Sequence, residues 1–216
     1  MGRPGAAHLA MEIDVISLFE PECGAREIQL VSAVLQSARW GDGPMVESFE
    51  QAFAGWVGRK HAVAVGSGTL GTWIALRALG IGPGDEVICT SHTWHQVAQA
   101  ITLAGATPVF ADINYWTGSL SPEKAALKIT PKTRAMLAGN TNGHPAAWEP
   151  LRALAQAHGL VLIEDSTEAL GSRYKGQTVG TFGDVSVFDF SAPSALCTGE
   201  GGMLVTDDDD LVHELR

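Results

Sequence analysis

The chain has 216 residues, of which 45% are hydrophobic and 18% are charged, so it can bury a substantial core as one large or two small soluble domains. Its formal net charge of −10 at pH 7 argues against nucleic acid or an anionic membrane surface as a partner, because both bind to a basic face. The three cysteines, Cys23, Cys89 and Cys197, are widely and irregularly spaced. This spacing fits neither a disulfide framework nor a zinc motif and indicates a reducing, cytoplasmic environment.

The N-terminal segment and the acidic run near the C-terminus predict neither a membrane segment nor a metal site. No apolar run approaches the roughly 18 residues of a membrane span, and residues 1–11 lack the apolar centre of a signal peptide. We expect residues 1–14 to be a disordered extension and residues 15–216 to form the folded domain. The four aspartates at 207–210 are typical of a turn and a helix N-terminus, where carboxylates meet the positive end of the helix dipole.

Two amphipathic helices are predicted ahead of the first strand. Each has apolar residues at helical spacing along one face. These residues are Ile28, Val31, Leu35 and Ala38 in segment 25–39, and Val46, Phe49, Phe53 and Trp56 in the next helix. The connection at 40–44, which contains two glycines and a proline, separates the two helices.

From His61 onward, apolar strands alternate with helical segments. The predicted strands are 61–65, 86–89, 107–110, 135–138, 160–163, 185–188 and 203–206, and the predicted helices lie near 69–79, 95–104, 122–128, 147–158 and 211–216. Apolar strands joined by helices predict a mostly parallel sheet covered on both faces, which is a three-layer α/β sandwich. Ligands of such sheets bind at the carboxyl ends of the strands. The stretches 67–69, 91–94, 140–143 and 165–168 therefore share one rim.

The sequence Gly66-Ser67-Gly68-Thr69 links the first strand to a helix. Its backbone N–H groups and hydroxyls can point at an anion, and the helix dipole favours negative charge there, so the stretch is a candidate phosphate cradle. An ordinary glycine-rich turn with a serine or threonine cap explains the same residues. The four-residue sequence alone does not distinguish a phosphate site from an ordinary capped turn.

Trp94 and its neighbour His92 follow the second strand. An aromatic ring at a strand end could stack on a flat heteroaromatic cofactor, although a tryptophan there could equally belong to the core. His92 is a candidate for proton transfer, with a structural role as the alternative. In the loop at 140–143, Asn140 and Asn142 could bind a sugar hydroxyl, but Asn-Gly is also a turn signal, and we favour the turn.

Asp165 emerges where a very apolar strand ends. A buried carboxylate needs a cationic partner or hydrogen bonds. A protonated pyridine nitrogen would be a suitable partner, since the pair keeps the ring an electron sink. An aspartate that caps the next loop is the alternative interpretation.

A fourth stretch, FDFSAPSALCTGEGGM at 188–203, is a short strand followed by a small-residue loop and a glycine-rich turn. In order and spacing, the four pieces resemble the large domain of the DegT/StrS-type sugar aminotransferases, which use pyridoxal phosphate (PLP). The resemblance runs from near Ile16 to Arg216. It implies that Gly68 and Thr69 bind the cofactor phosphate, that Trp94 stacks on the ring and that Asp165 meets the pyridine nitrogen.

Three residues depart from the pattern that the resemblance implies. Ser194 stands at the position of the lysine that binds the cofactor covalently, so the usual proton transfer has no amine to carry it. Asp189 replaces a serine whose hydroxyl binds the cofactor phosphate in relatives, and a carboxylate repels phosphate at close range. Glu168 replaces glutamine or histidine, and a second carboxylate beside Asp165 should raise a pKa by like-charge repulsion.

The resemblance also implies that the smaller C-terminal domain of the family is absent from this chain. In relatives that domain completes the pocket, and each subunit of a dimer contributes loops to the other. The strands near 185–188 and 203–206 need neighbours, so we expect either exposed apolar surface or oligomerisation, as a homodimer or with a paralogous partner subunit.

Three functions remain open. One is an enzyme that uses PLP or pyridoxamine phosphate (PMP) noncovalently on a nucleotide sugar or cyclic ketone, with Glu168 or His92 assisting Ser194. Such an enzyme would dehydrate its substrate rather than transaminate it. The second is a noncatalytic paralogue that pairs with an active subunit or binds a metabolite. The third is an incomplete protein with no activity of its own.

Overall fold

The computed structural model describes residues 19–216, so the extension predicted at 1–14 lies outside the described residues. The helices are α1 (Ala25–Ser37), α2 (Pro44–Val57), α3 (Gly68–Ala78), α4 (His95–Leu103), α5 (Pro122–Ala126), α6 (Trp148–His158) and α7 (Leu211–Leu215). The strands are β1 (His61–Val65), β2 (Glu86–Thr90), β3 (Thr107–Ala111), β4 (Thr133–Gly139), β5 (Val161–Asp165), β6 (Arg173–Tyr174), β7 (Gln177–Thr178), β8 (Val185–Asp189) and β9 (Gly202–Thr206). In this part of the chain, no helix is both long and apolar enough to cross a membrane.

Seven strands form the central sheet in the order β1-β9-β8-β5-β4-β2-β3. The pairs from β3 through β2, β4 and β5 to β8 are parallel. Strand β9 runs antiparallel to both β8 and β1, because a loop rather than a crossover helix joins β8 to β9 and returns the chain alongside itself. The predicted α/β fold with a mostly parallel sheet is confirmed. The expectation that the strands near 185–188 and 203–206 need neighbours from outside the chain is wrong, because β8 pairs with β5 and β9, and β9 also pairs with β1.

Alternate residues of the strands face two separate cores, one on each side of the sheet. Helices α3, α4 and α7 pack on one face, where Leu76 and Ile101 meet Val87, Leu137 and Ile163. On the other face, Trp148 and Leu151 of α6 meet Met136 and Leu162, and Phe53 of α2 meets Phe188 and Met203. This arrangement is the predicted three-layer sandwich, and it follows from the period of two along each strand.

Helix α1 forms where its apolar spacing predicts, but its apolar face is not buried within this chain. Ile28, Val31 and Leu35 are 61%, 59% and 60% exposed, and α1 has no buried residue. Helix α2 differs because Phe53 and Val57 enter the core, although Trp56 remains 54% exposed. The amphipathic pattern therefore predicted the helix correctly, while the partner that would cover α1 is not among the described residues.

Glu164, the penultimate residue of β5, is a fully buried carboxylate that joins three parts of the fold. It accepts six hydrogen bonds, from the side chains of Asn140, Ser166 and Ser186 and from the backbone N–H groups of Gly180, Phe182 and Gly183. The shortest joins Gly180 N to Oε1 at 2.6 Å. Hydrogen bonds to charged groups are the stronger class, so this carboxylate fixes the end of β5 against the segment at 180–183.

We predict that Glu164→Gln destabilises the protein by about 3 kcal/mol, because the amide nitrogen cannot accept from N–H groups that then stay buried and unpaired. Glu149→Gln is the matched control, since Glu149 pairs with Lys175 on the surface and its side chain is 64% exposed. The control should change stability by less than about 0.5 kcal/mol. Urea unfolding of both variants measures the difference, and equal losses would contradict the role given to Glu164.

Candidate ligand-binding site

A cleft lies at the carboxyl ends of β5 and β8, beside the N-termini of α3 and α4. Its cavity volume is about 110 Å³, which is below the roughly 300–1,000 Å³ of sites for drug-sized ligands. Its lining residues are Gly68, Thr69, Thr72, Trp94, Gln96, Val97, Asp165, Thr167, Val187, Asp189, Ser191, Ala192 and Pro193. Five of the sequence-predicted site residues are thus brought together: Gly68, Thr69, Trp94, Asp165 and Asp189.

Asp165 lies at the bottom of the cleft, where β4, β5 and β8 end side by side. It is level with Gly139 of β4 and Val187 of β8. Its Oδ1 accepts a hydrogen bond from the backbone N–H of Thr167 at 3.0 Å, and none of the ion pairs formed by residues 19–216 includes it. Burial raises the pKa of this carboxyl, and the nearby carboxylates of Glu168 and Asp189 raise it further.

Trp94 stands at the mouth of the cleft and is 45% exposed, so the alternative of a core tryptophan is wrong. Its indole Nε1 donates to Oε1 of Glu168 at 2.9 Å. The other oxygen, Oε2, accepts from the backbone N–H of Asn142 at 2.7 Å. Glu168 therefore holds the indole in place and belongs to the crevice beside the cleft, together with Asn140 and Thr141.

Asp189 ends β8 directly against the start of α3. Its Oδ2 accepts from the backbone N–H of Gly68 at 2.6 Å, and its Oδ1 accepts from that of Ser191 at 2.7 Å. A Cβ atom at position 68 would lie 2.6 Å from the Cβ of Asp189, so only glycine permits this approach. The N-terminus of α3, which the sequence marked as a phosphate cradle, therefore faces a carboxylate of the chain itself.

Ser194 lies in the loop between β8 and β9, next to the lining residues 191–193 but not among them. Its Oγ lies 3.4 Å from the carbonyl oxygen of Asp189, which is a long hydrogen bond. His92 is also outside the lining, and its Nδ1 lies 2.8 Å from the carbonyl oxygen of Gly118. Since a carbonyl can only accept, this contact makes Nδ1 the donor.

Sequence reasoning missed Gln96 and the buried hydrogen-bond network of Asn140, although it predicted the turn at Asn142. Gln96 Oε1 is buried in the cleft wall and has no hydrogen-bond partner among the described residues. No motif marks a glutamine on the first turn of α4, so only the structure finds it. Asn140 is buried and bonded through both amide atoms to Glu164, Ser166 and Trp148. Asn142 has a φ of 52° in a short turn, as the Asn-Gly signal predicted.

Comparison with known proteins gives one consistent result. The sequence profile of the DegT/DnrJ/EryC1/StrS aminotransferase family matches residues 21–216. The spore coat polysaccharide biosynthesis protein SpsC of Bacillus subtilis (strain 168) is 44% identical over 196 residues, which are 91% of this chain and 50% of SpsC. DesI, solved in the presence of its TDP-sugar product, is 40% identical with a TM-score of 0.84 over 89% of this chain and 49% of DesI.

A further solved structure contains a cofactor. NtdA from Bacillus subtilis with bound PMP is 28% identical, with a TM-score of 0.80 over 88% of this chain and 42% of NtdA. The chain therefore spans about half the length of the relatives that it matches.

The residues of the cleft fit one half of a PLP-type cofactor and not the other. A protonated ring nitrogen fits Asp165, a partly buried carboxylate without a cation, and Trp94 offers an aromatic face at the same cleft. The phosphate does not fit, because the N–H of Gly68 already donates to Asp189 and the carboxylate fills the space in front of it. The cleft thus has residues that would suit a pyridine ring, while Asp189 occupies the N–H group at its α3 end.

We predict that Asp165→Asn stabilises the ligand-free protein at neutral pH. The folded pKa of Asp165 is raised, so the native state binds more protons than the unfolded state between the two pKa values, and stability falls as pH rises through that window. The amide removes this cost and still accepts from Thr167. Thermal unfolding should show a higher Tm for the variant at pH 7, with about 2–4 °C for each kcal/mol.

The gain from Asp165→Asn should shrink as the pH is lowered and disappear below the unfolded-state pKa of about 3.9, where the wild-type carboxyl is protonated in both states. Asp42→Asn is the matched control, because the Asp42 side chain is 86% exposed, and it should leave Tm unchanged at every pH. A loss of Tm in Asp165→Asn at pH 7 would contradict the prediction.

Proposed function

Because this chain belongs to the DegT/DnrJ/EryC1/StrS aminotransferase family, whose members depend on PLP or PMP, we propose that it is a lysine-free member that binds a pyridine-type ligand noncovalently. By itself it does not carry out ordinary transamination. The observation that carries the proposal is the composition of the cleft: among residues 19–216, no lysine or arginine lines it. Position 194, where the resemblance puts the lysine, is a serine.

A serine at position 194 cannot replace a lysine in either of its roles. The hydroxyl is not an amine that can bond to a carbonyl carbon, and with no adjacent base it is neither a nucleophile nor a proton carrier. Ser194 Oγ donates its hydrogen bond to a backbone carbonyl, which is too weak a base to remove the proton and activate the oxygen. Lys175, in the turn between β6 and β7, pairs with Glu149 on the surface and lines no part of the cleft.

The cleft nevertheless retains the features that bind a ring. Asp165 would pair with a protonated nitrogen and hold it charged, because a carboxylate in a desolvated site favours a cation beside it. Trp94 would cover the ring, and its hydrogen bond to Glu168 fixes the orientation of the indole in advance. A bound pyridinium would supply electron withdrawal at the ring, and the residues of this chain would orient it and exclude water.

The wider role that we propose is in sugar metabolism, with a nucleotide sugar as the small-molecule substrate or ligand. The resemblance to SpsC and DesI over nine-tenths of this chain supports this class. We further propose that the protein works in the cytoplasm as a homodimer or with a paralogous subunit. The exposed apolar residues of α1, Ile28, Val31 and Leu35, support a partner that covers them.

Dehydration of a sugar with noncovalent PMP is the second candidate, and the geometry favours it less. Dehydration needs a base in the cleft, and each of the two candidate bases already forms hydrogen bonds with other groups. Both carboxylate oxygens of Glu168 accept hydrogen bonds, from Trp94 and Asn142. His92 contacts Gly118 and does not line the cleft.

We predict that borohydride reduction in the presence of PLP labels no residue of segment 188–203 in the wild-type protein. The double variant Ser194→Lys/Asp189→Ser restores both an amine and room for the phosphate, and it should gain one reducible adduct at position 194. Mass spectrometry of tryptic peptides locates the label and separates it from labelled surface lysines.

The matched control for this experiment is Ser194→Met/Asp189→Ser, which has a side chain of similar length without an amine and should not be labelled. Label on the wild-type cleft would refute the proposal. A folded Ser194→Lys/Asp189→Ser variant without label would show that loss of the lysine is not a sufficient explanation for loss of the covalent bond.

A further inference from the structure

Asp189 occupies the position in which the N-terminus of α3 would bind an anion. Its carboxylate accepts from Gly68 and Ser191 at 2.6 Å and 2.7 Å, the two backbone N–H groups that meet at this end of the cleft. Carboxylates are the natural partners of a helix N-terminus, because the dipole and the free N–H groups both favour negative charge. The side chain is also in contact with Gly68 itself, so a second anion has no room there without displacing Asp189.

The charged side chains that line the cleft all have the same sign. Asp165 lies at its bottom and Asp189 at its α3 end, and no cationic side chain of residues 19–216 lines the space between them. Glu168 adds a third carboxylate in the adjoining crevice. A ligand that brings a phosphate into this space would face carboxylates at short range, whereas a cation would be attracted to them.

The unsatisfied groups of the cleft are acceptors. Gln96 Oε1 is buried in the wall with no donor, and a buried polar atom without a partner is costly. Asp165 is a desolvated carboxylate without a cation. A ligand in the cleft that donates an N–H group and carries positive charge would give Asp165 the cationic partner that it lacks.

We propose that Asp189 acts as a built-in substitute for a ligand phosphate, so that this cleft selects a flat, cationic, nitrogen-containing ring that carries no phosphate. This inference rests on the proposed function, because it specifies the ligand class of the same site. Asp189 therefore determines ligand specificity in two ways. It accepts hydrogen bonds from the N–H groups that a phosphate would otherwise use, and its negative charge repels a phosphate. The ring end of the site, at Asp165 and Trp94, is unchanged by this substitution.

Two probes that differ only by one phosphate test the inference directly. Pyridoxamine and PMP share the pyridine ring and the aminomethyl group, and calorimetric titration of the purified protein with each gives two dissociation constants. We expect pyridoxamine to bind the wild-type protein at least tenfold more tightly than PMP. Asp189→Ser should reverse the preference, because it frees the N–H groups of Gly68 and Ser191 and leaves a hydroxyl beside them.

Three variants control the comparison. Asp189→Asn keeps the size of the side chain and removes its charge, so it should reduce the preference for pyridoxamine even if Asp189→Ser does not fold. Asp42→Ser makes the same change at an exposed position outside the cleft and should leave both constants unchanged. Asp165→Asn removes the ring contact and should weaken pyridoxamine binding at least tenfold.

The outcomes distinguish the inference from the proposed function. Equal binding of pyridoxamine and PMP to the wild-type protein would overturn the role of Asp189 and leave the noncovalent ring site intact. Tighter binding of PMP to the wild type would overturn it as well. If neither ring binds to the wild type or to any folded Asp189 variant, the proposed function itself is wrong, and the inference falls with it.

Discussion

The site depends on two adjacent carboxylates, of which the fold surrounds one with hydrogen-bond donors and leaves the other without a cationic partner among the described residues. Glu164 and Asp165 are consecutive on β5, so their side chains leave opposite faces of the sheet. Glu164 is buried among six donors on one side, and this network fixes the end of the strand. Asp165 is consequently held at the bottom of the cleft, where no basic side chain among the described residues neutralises it.

The sequence predicted the layers and the rim because their signals are local. Apolar runs of strand length and amphipathic helical spacing predict the same elements in almost any tertiary context. The rule that ligands bind at the carboxyl ends of parallel strands then places Gly68, Trp94 and Asp165 at one edge of the sheet. What covers a helix is not local. The apolar face of α1 indicates that something must bury it, but its spacing contains no information about the partner, and the face stays exposed in the described part of the chain.

The roles of the acidic residues were less predictable, because they depend on donors that are distant in sequence. The pattern singled out Asp165, which does line the cleft, but did not mark Glu164, whose backbone partners lie 16 to 19 residues further on. For Asp189 the sequence predicted repulsion of a phosphate. It could not show that the carboxylate bonds to the N–H of Gly68, 121 residues earlier, because that contact requires β8 to end against α3.

The contrast between satisfied and unsatisfied acids determines what the cleft can do. Glu168 and Asp189 each accept hydrogen bonds at both oxygens, so they position groups and repel anions but gain little from a new donor. Asp165 is different, because its burial costs free energy until a cation arrives. Under the noncovalent binding that we propose, pairing of Asp165 with a cation contributes to the affinity, and a ligand of positive charge therefore suits this site better than one with a phosphate.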